Sequence, residues 1–512
     1  MLKNFKQDFS ASIVVFLVAL PLCLGIALAS GAPLFSGIIS GAVGGIIIGF
    51  LSKSHVSVSG PAAGLTGIVI VALGKLPSYN AFLLAVIIAG VLQYIMGLIK
   101  AGVINQYFPN SVIKGMLASI GIILILKQFP HAVGYDGDFE GDESFIQKDG
   151  HNTFSELYYS LSALTLSAVA ISIISIGILV FWSTKAIKKV KYISSVPAPL
   201  LVVLIGVVIN ILFIHYDSND SLRKAQLVNL PVPHTFNEYK SLFLFPDFNQ
   251  LSNLTVYIIA LQIAIVASIE TLLSIEAADK IDPEKRITPA NHELKAQGTG
   301  NFIAGFLGGL PITSVIVRTS ANVDSGSKTK LSAILHGVIL LISALTIPLW
   351  LNYIPKASLA AILIVTGYKL TRIGLFKEMK AKGLSQLIPF VVTIVAVLLT
   401  DLLIGIFIGT LTGLYFTMRS NFHSALRVTQ DGKNYLIKFK KETSFLNKPQ
   451  VKDALQVIPD GSSVLIDITK ADYIDLDIVE LINDFIETSK RRSLTITVKR
   501  NYRNVNVPLI EF

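Results

Sequence analysis

Uncharged runs of helical length follow one another along most of this chain. From Phe9 to Ser52, 44 residues carry no charge, and Gly31-Ala32-Pro33 interrupts them midway, a pattern that predicts two helices joined by a turn. Crossing the hydrocarbon core of a bilayer takes about 20 apolar residues, and further runs of that order cover 76–99, 157–184, 196–214, 251–269 and 331–355. Asp401 divides the run from Ser385 to Met418 into two. Four more pieces, near 54–74, 111–127, 301–323 and 356–370, are shorter or interrupted. The total is fourteen segments, two of them unusually short.

The pattern changes at Arg419. From there to Phe512, 27 of 94 residues are charged, against 49 of the 418 before it. The chain therefore divides into a membrane domain, 1–418, and a small soluble domain, 419–512. In the latter, 428–441 with its Asp431-Gly432 turn predicts a β-hairpin, and Ser463–Ile468 (SVLIDI) a buried strand. Apolar residues at 478, 479, 481, 482, 485 and 486 have helical spacing, and 494–498 reads as another strand. The expected fold class is an all-α polytopic membrane domain followed by a small α/β unit.

Composition agrees with an integral membrane protein: 52% hydrophobic residues, only 15% charged. The net charge of +10 would suggest nucleic acid in a soluble protein. Here the basic residues cluster in short loops, which is a topological signal and makes a nucleic-acid partner unexpected. Lys185, Lys188, Lys189 and Lys191 lie in one such loop, and Arg372, Lys377, Lys380 and Lys382 in another. The loop 127–152 is acidic, with Asp136, Asp138, Glu140, Asp142, Glu143 and Asp149. With fourteen spans both basic loops and both termini fall on one side, so N-terminus and C-terminal domain are expected in the cytoplasm and the chain in the plasma (inner) membrane. The apolar sequence after MLKNFKQDF is too long for a signal-peptide core and is read as a retained first helix.

Two interrupted apolar segments hold the candidate chemistry. His55-Val56-Ser57-Val58-Ser59-Gly60-Pro61-Ala62-Ala63-Gly64-Leu65-Thr66 has an extended lead and then Gly-Pro, suited to a helix's first turn. Gly308 to Arg318 (GGLPITSVIVR) repeats the design. Paired broken segments point to a transporter's substrate site, and two facing helix N-termini favour an anion; ordinary Gly/Pro kinks are the plainer alternative. Arg318, about five residues inside the second short helix, is the fixed positive charge, unless it snorkels to the interface. Glu270 follows nineteen uncharged residues, with Ser274 one turn on. In low dielectric it either pairs with a cation or takes a proton, which makes it the candidate for H⁺ or Na⁺ coupling; a structural ion pair with Arg318 or Lys295 is the alternative. His131, His151, His215, His234 and His292 share no metal-ligand spacing, and Cys23, the sole cysteine, reads as core packing. Gly41-Ala42-Val43-Gly44-Gly45 lacks a Walker lysine. No enzyme chemistry, cofactor or nucleotide site is expected.

These residues carry a resemblance. DFSASIVVFLVALPLCLGIALASG, SGPAAGLT, ETLLSIEAAD and GGLPITSVIVRTSAN resemble the sulfate permease (SulP) family of anion transporters, and VLIDITKADYIDLDIVELINDF resembles a STAS domain, here shortened. The resemblance implies a seven-plus-seven inverted repeat with two half-helices, elevator-type alternating access and a homodimer in the bilayer. It places the anion among Gly60, Pro61, Ala62, Val317 and Arg318, under a first helix broken from Pro21 to Ile26. Glu270, Thr66 and Ser274 match coupling-ion positions and form a possible Na⁺ site. Three departures stand out: Leu22 replaces a glutamine of animal members, Arg318 has no counterpart in the bicarbonate branch, and Asp477 occupies the phosphorylated position of related STAS domains. The reading is a secondary transporter of small inorganic oxyanions, sulfate before bicarbonate, coupled to H⁺ or Na⁺. Its rivals are a nucleobase–cation symporter and a non-transporting membrane anchor or sensor acting through the STAS domain.

Overall fold

The computed structural model describes residues 4–135, 137, 145, 152–162, 164–184, 197–216, 221–422, 426–439, 442–471 and 473–500. Most of the acidic 127–152 loop and the lysines between 185 and 191 lie outside the described residues. Two compact units emerge, Met1–Thr410 and Leu411–Phe512, the division falling inside the last membrane helix.

The first unit runs α1 (Phe5–Ala29), α2 (Leu34–Val43, continued by a π-turn at Gly44–Ile48), β1 (Ser59–Pro61), α3 (Thr66–Lys75), α4 (Tyr79–Leu98), α5 (Asn110–Val133), α6 (Thr153–Ser162), α7 (Leu166–Trp182) and α8 (Ala198–Tyr216). A second series follows: α9 (Leu254–Ile281), α10 (Ala290–Leu307), β2 (Ile312–Ser314), α11 (Ile316–Asp324), α12 (Leu331–Thr346), α13 (Lys356–Leu370), α14 (Ile373–Ala381), α15 (Leu384–Leu399) and α16 (Leu402–Phe422). In each series the third segment is a short strand leading into a short helix, as the seven-plus-seven reading expects. Among the described residues, seven helices are long and apolar enough to cross a membrane, eight if the bent pair α6–α7 counts as one span.

Sequence and structure part in several places, three of them in the helices. The 251–269 segment extends to Ile281, which puts Glu270 well inside α9. The 301–323 segment is really the end of a separate helix, α10, followed by β2 and α11. Its first turns (ANHELKAQGTGN) are polar because they face protein, so a search for uncharged runs passes over them. Finally, α1 is continuous through Pro21 and is not broken between Pro21 and Ile26. A proline removes one hydrogen bond from a helix, but α1 is buried along nearly its whole length, and packing against α2, α11 and α12 holds it.

Helix α10 lies against α4 at very short range. A Cβ on Gly298 would meet Tyr94 N at 2.5 Å and Gly90 O at 2.6 Å, and one on Gly90 would meet Phe302 N at 2.5 Å. Small residues let two backbones approach where the hydrophobic effect between helices is weak. At the end of α10, Gly308 adopts φ +92°, a left-handed cap that turns the chain into β2.

In the second unit, β3 (Leu426–Asp431) and β4 (Asn434–Phe439) form the expected hairpin. β5 (Ser463–Asp467) pairs parallel with β4, and β6 (Thr495–Lys499) parallel with β5, giving the sheet order β3-β4-β5-β6. α17 (Lys448–Gln456) and α18 (Leu476–Thr488) supply the crossovers. Ile437, Ile466, Ile478, Ile482 and Ile486 make its core. At the start of α18, Asp475 accepts a hydrogen bond from Asp477 N at 3.1 Å, and Asp477 pairs with Lys448 at 3.2 Å.

Replacing Gly298 by leucine drives a side chain into the α4 backbone. We expect destabilisation of at least about 1–3 kcal/mol, the usual overpacking cost, seen as an earlier thermal unfolding midpoint in detergent. An unchanged midpoint would refute the close α4–α10 contact.

Candidate functional site

Backbone inside a bilayer must find its hydrogen bonds within the protein, and two short strands do so here by pairing with each other. β1 and β2 run antiparallel, Ser59 opposite Ser314, Gly60 opposite Thr313 and Pro61 opposite Ile312. The pairing extends outward: Val315 N donates to Val58 O at 2.9 Å, and Val58 N to Thr319 Oγ1 at 3.0 Å. Ser57 and Ser314 hydroxyls meet at 2.6 Å.

A polar stripe on α10 clamps both strands. Gln297 Nε2 donates to Ser59 Oγ (2.7 Å) and to Glu293 Oε1 (3.0 Å), while Glu293 Oε2 accepts from Ser52 Oγ at 2.5 Å. On the other side Asn301 accepts from Ile312 N at 2.6 Å and donates to Ile312 O at 3.0 Å and Gln93 Oε1 at 2.8 Å. All three α10 side chains are buried. Their spacing of four residues (293, 297, 301) puts them on one helix face, a pattern present in the sequence.

The helix after each strand starts beside this crossing. Pro61 lies in β1 rather than in the first helical turn, and Ala63–Leu65 form a 3₁₀ turn before α3. Arg318 is the third residue of α11, closer to the helix start than the sequence suggested. It is 0% exposed, which rules out snorkelling. Its Nη2 donates to Cys23 Sγ at 3.3 Å and, at 3.5 Å, to Pro61 O. Nε and Nη1 have no hydrogen-bond partner among the described residues. Three N–H donors on a charged group are thus held in the interior beside the first turn of α11, whose own leading N–H groups have no intrahelical acceptor. Leaving such donors unmet costs free energy that an oxyanion would recover.

Gly60 makes room for the guanidinium: a Cβ there would sit 1.9 Å from Arg318 Nη1. Cys23, read from sequence as packing, is an Arg318 partner, brought there by the continuous α1. Pro21 and Ile26 are buried on the same helix, and Ala62 and Val317 are buried beside the crossing. Around Glu270 the structure brings together α9 and the 3₁₀ turn: a Cβ on Gly64 would lie 3.1 Å from its Oε1. Thr271 Oγ1 accepts from Ser314 N at 3.3 Å, so the turn of α9 that carries Glu270 also holds β2. Ser274 is buried one turn on, and Thr66 Oγ1 is buried with no hydrogen-bond partner among the described residues.

Comparison with known proteins gives a consistent answer. Residues 5–406 match the model of the sulfate permease family. YvdB of Bacillus subtilis, a protein named for sulfate transport, is 28% identical over 421 residues, 82% of this chain and 74% of its own. The bicarbonate transporter BicA of Picosynechococcus is 25% identical over 439 residues, 82% of this chain and 72% of its own. Among solved structures, the murine Solute Carrier 26 family member A9 anion transporter in the inward-facing state shares the fold at a TM-score of 0.66 and 15% identity, covering 96% of this chain and 85% of that one.

Gly60→Ala tests the site with one methyl group. The added carbon must displace the buried guanidinium, so anion affinity should fall roughly tenfold or more, the effect of misaligning a charged hydrogen bond, while the protein remains folded. Full affinity in the variant would remove the Gly60–Arg318 contact from the site.

Proposed function

The chain belongs to the sulfate permease family, and on that premise we propose that it is a secondary active transporter of sulfate first and bicarbonate second, coupled to H⁺ or Na⁺. That it is an integral membrane protein carrying inorganic anions, and not an enzyme, follows from the family. The observation that carries the substrate assignment is the wholly buried Arg318, with Nε and Nη1 unpartnered beside the β1–β2 crossing. A guanidinium fork matches a tetrahedral or planar oxyanion and has less use for a neutral nucleobase. The names of the relatives, which include both sulfate and bicarbonate transport, support the same two substrates.

Packing supports an elevator-type movement. α1, α2, α9 and α10 pack on the two strands and α12 packs on α1 and α2, while α5 packs on α13 and α15 as a second group. The first group can carry the anion past the second without rebuilding the site. In this reading Glu270 takes the coupling ion: a proton if its carboxyl is neutral in one state, Na⁺ if it remains ionised with Thr66 and Ser274 nearby. Residues 1–418 form the transport domain and 419–512 a STAS-like cytoplasmic domain, both termini inside the plasma membrane and the protein a homodimer. The sheet order and the α18 crossover support the STAS reading.

Labelled sulfate and bicarbonate uptake into proteoliposomes, with pH and Na⁺ gradients imposed separately, tests the proposal. Arg318→Ala should weaken sulfate binding by about 1.5–3 kcal/mol, roughly 10- to 150-fold. No uptake of either anion under any gradient would leave the membrane-anchor reading.

Glu270→Gln separates coupling from carriage. It should abolish gradient-driven accumulation yet keep anion exchange. Accumulation at the unmodified level would take Glu270 out of the coupling step.

A further inference from the structure

Away from Arg318, a cavity of about 500 Å³ opens between the end of α9 and α11 on one side and α5, α13 and α14 on the other. Five cations line it, Lys114, Lys280, Lys285, Lys369 and Arg372, against one carboxylate, Asp324. Three of them have acidic partners: Lys114 with Glu378 at 2.5 Å, Lys280 with Glu276 at 2.9 Å and Lys369 with Asp324 at 3.6 Å. The other two end on backbone carbonyls. Lys285 Nζ donates to Lys280 O, and Arg372 Nε to Lys369 O at 3.0 Å. Those carbonyls belong to the last turns of α9 and α13, where helix ends attract cations, yet each bond uses one donor of several.

Like charges facing one another across a cavity repel unless an anion sits between them. The loosest of the three pairs, Lys369–Asp324, joins α13 to α11, the helix that carries Arg318. The same two residues also line a neighbouring cavity of about 300 Å³, so the pair stands between the two spaces. An anion entering the larger cavity would compete with Asp324 for Lys369.

We propose that this cavity is a second oxyanion site, for a tetrahedral inorganic anion such as sulfate or phosphate, held by Lys285, Arg372 and Lys369, with Asp324 as the built-in competitor. The inference rests on the reading of the chain as an anion carrier. Occupancy frees Lys369 from Asp324 and so loosens the α11–α13 contact. The site receives anions on the face of the basic 371–384 segment and links their arrival there to the helix that bears the central arginine.

Equilibrium binding of labelled sulfate to the purified full-length protein in lipid-free micelles, over a range of ionic strength, tests this. The unmodified protein should show a tight class and a weaker, strongly salt-sensitive class. Arg318→Ala should weaken the tight class roughly 10- to 150-fold and leave the weak one unchanged; Lys285→Gln with Arg372→Gln should remove the weak class and keep the tight one, and the three changes together should leave only the weakened central site. Both substituted cations are exposed, so the fold should tolerate their loss. Asp324→Asn should strengthen the weak class roughly two- to fivefold, the range of a partly exposed ion pair. The proposal is overturned if Arg318→Ala alone abolishes all binding, or if the weak class survives the double change. A parallel titration of the same micelles with phosphatidylglycerol separates the other anion source: binding of that lipid, lost in the double variant, with no weak sulfate class also overturns the proposal. Tight binding that persists in Arg318→Ala would instead refute the central site, leaving the weak class to be judged by the double variant.

Discussion

The absence of water inside a bilayer governs this protein's centre. Two stretches of extended backbone cross there, and each would leave N–H and C=O groups unmet if the other were removed. Their antiparallel pairing is short, three residues on each side, and three residues of ladder would not hold alone. The α10 clamp compensates, fixing β1 through Ser59 and β2 through both backbone groups of Ile312. The resulting frame lets two helices begin in the protein interior, which in turn gives Arg318 a place to sit without reaching for solvent.

The arginine is held in place by the same frame. An isolated guanidinium in hydrocarbon is costly. Here its surroundings are a thiol, a carbonyl and the first turn of a helix, none of which cancels its charge. An acidic partner at that point would neutralise it and stabilise the protein without any ligand. Weak partners leave the group both bearable and reactive toward an anion.

Much of this was legible in the sequence, and what was missed follows a physical rule. Runs without charge located the helices that face lipid, because lipid imposes that restriction. They failed at α10, whose Glu293, Gln297 and Asn301 face only protein, so no such restriction applies; the four-residue spacing was the available signal. Gly-Pro and the VSVS lead revealed an interrupted segment, but local preference put Pro61 in a helix while pairing with β2 drew it into a strand. Pro21 misled in the opposite direction: a residue that disrupts an isolated helix was outweighed by burial on every side of α1. The role of Cys23 could not be read from its neighbours in sequence, since its partner lies 295 residues away. The small α/β unit was the easiest to read, because alternation, turn residues and helical spacing agree there.

The fit between Gly60 and Arg318 also limits how the space around the arginine can be remodelled. On the strand side no atom can be added, since the guanidinium already occupies the place of a side chain at position 60. The opposite wall is α1, where Cys23 Sγ meets the guanidinium, so a change at position 23 alters the group's one side-chain hydrogen bond among the described residues. Positions 60 and 318 are geometrically coupled: a larger residue at 60 displaces the guanidinium from its present place, and loss of the arginine side chain would relieve the close approach that keeps position 60 a glycine.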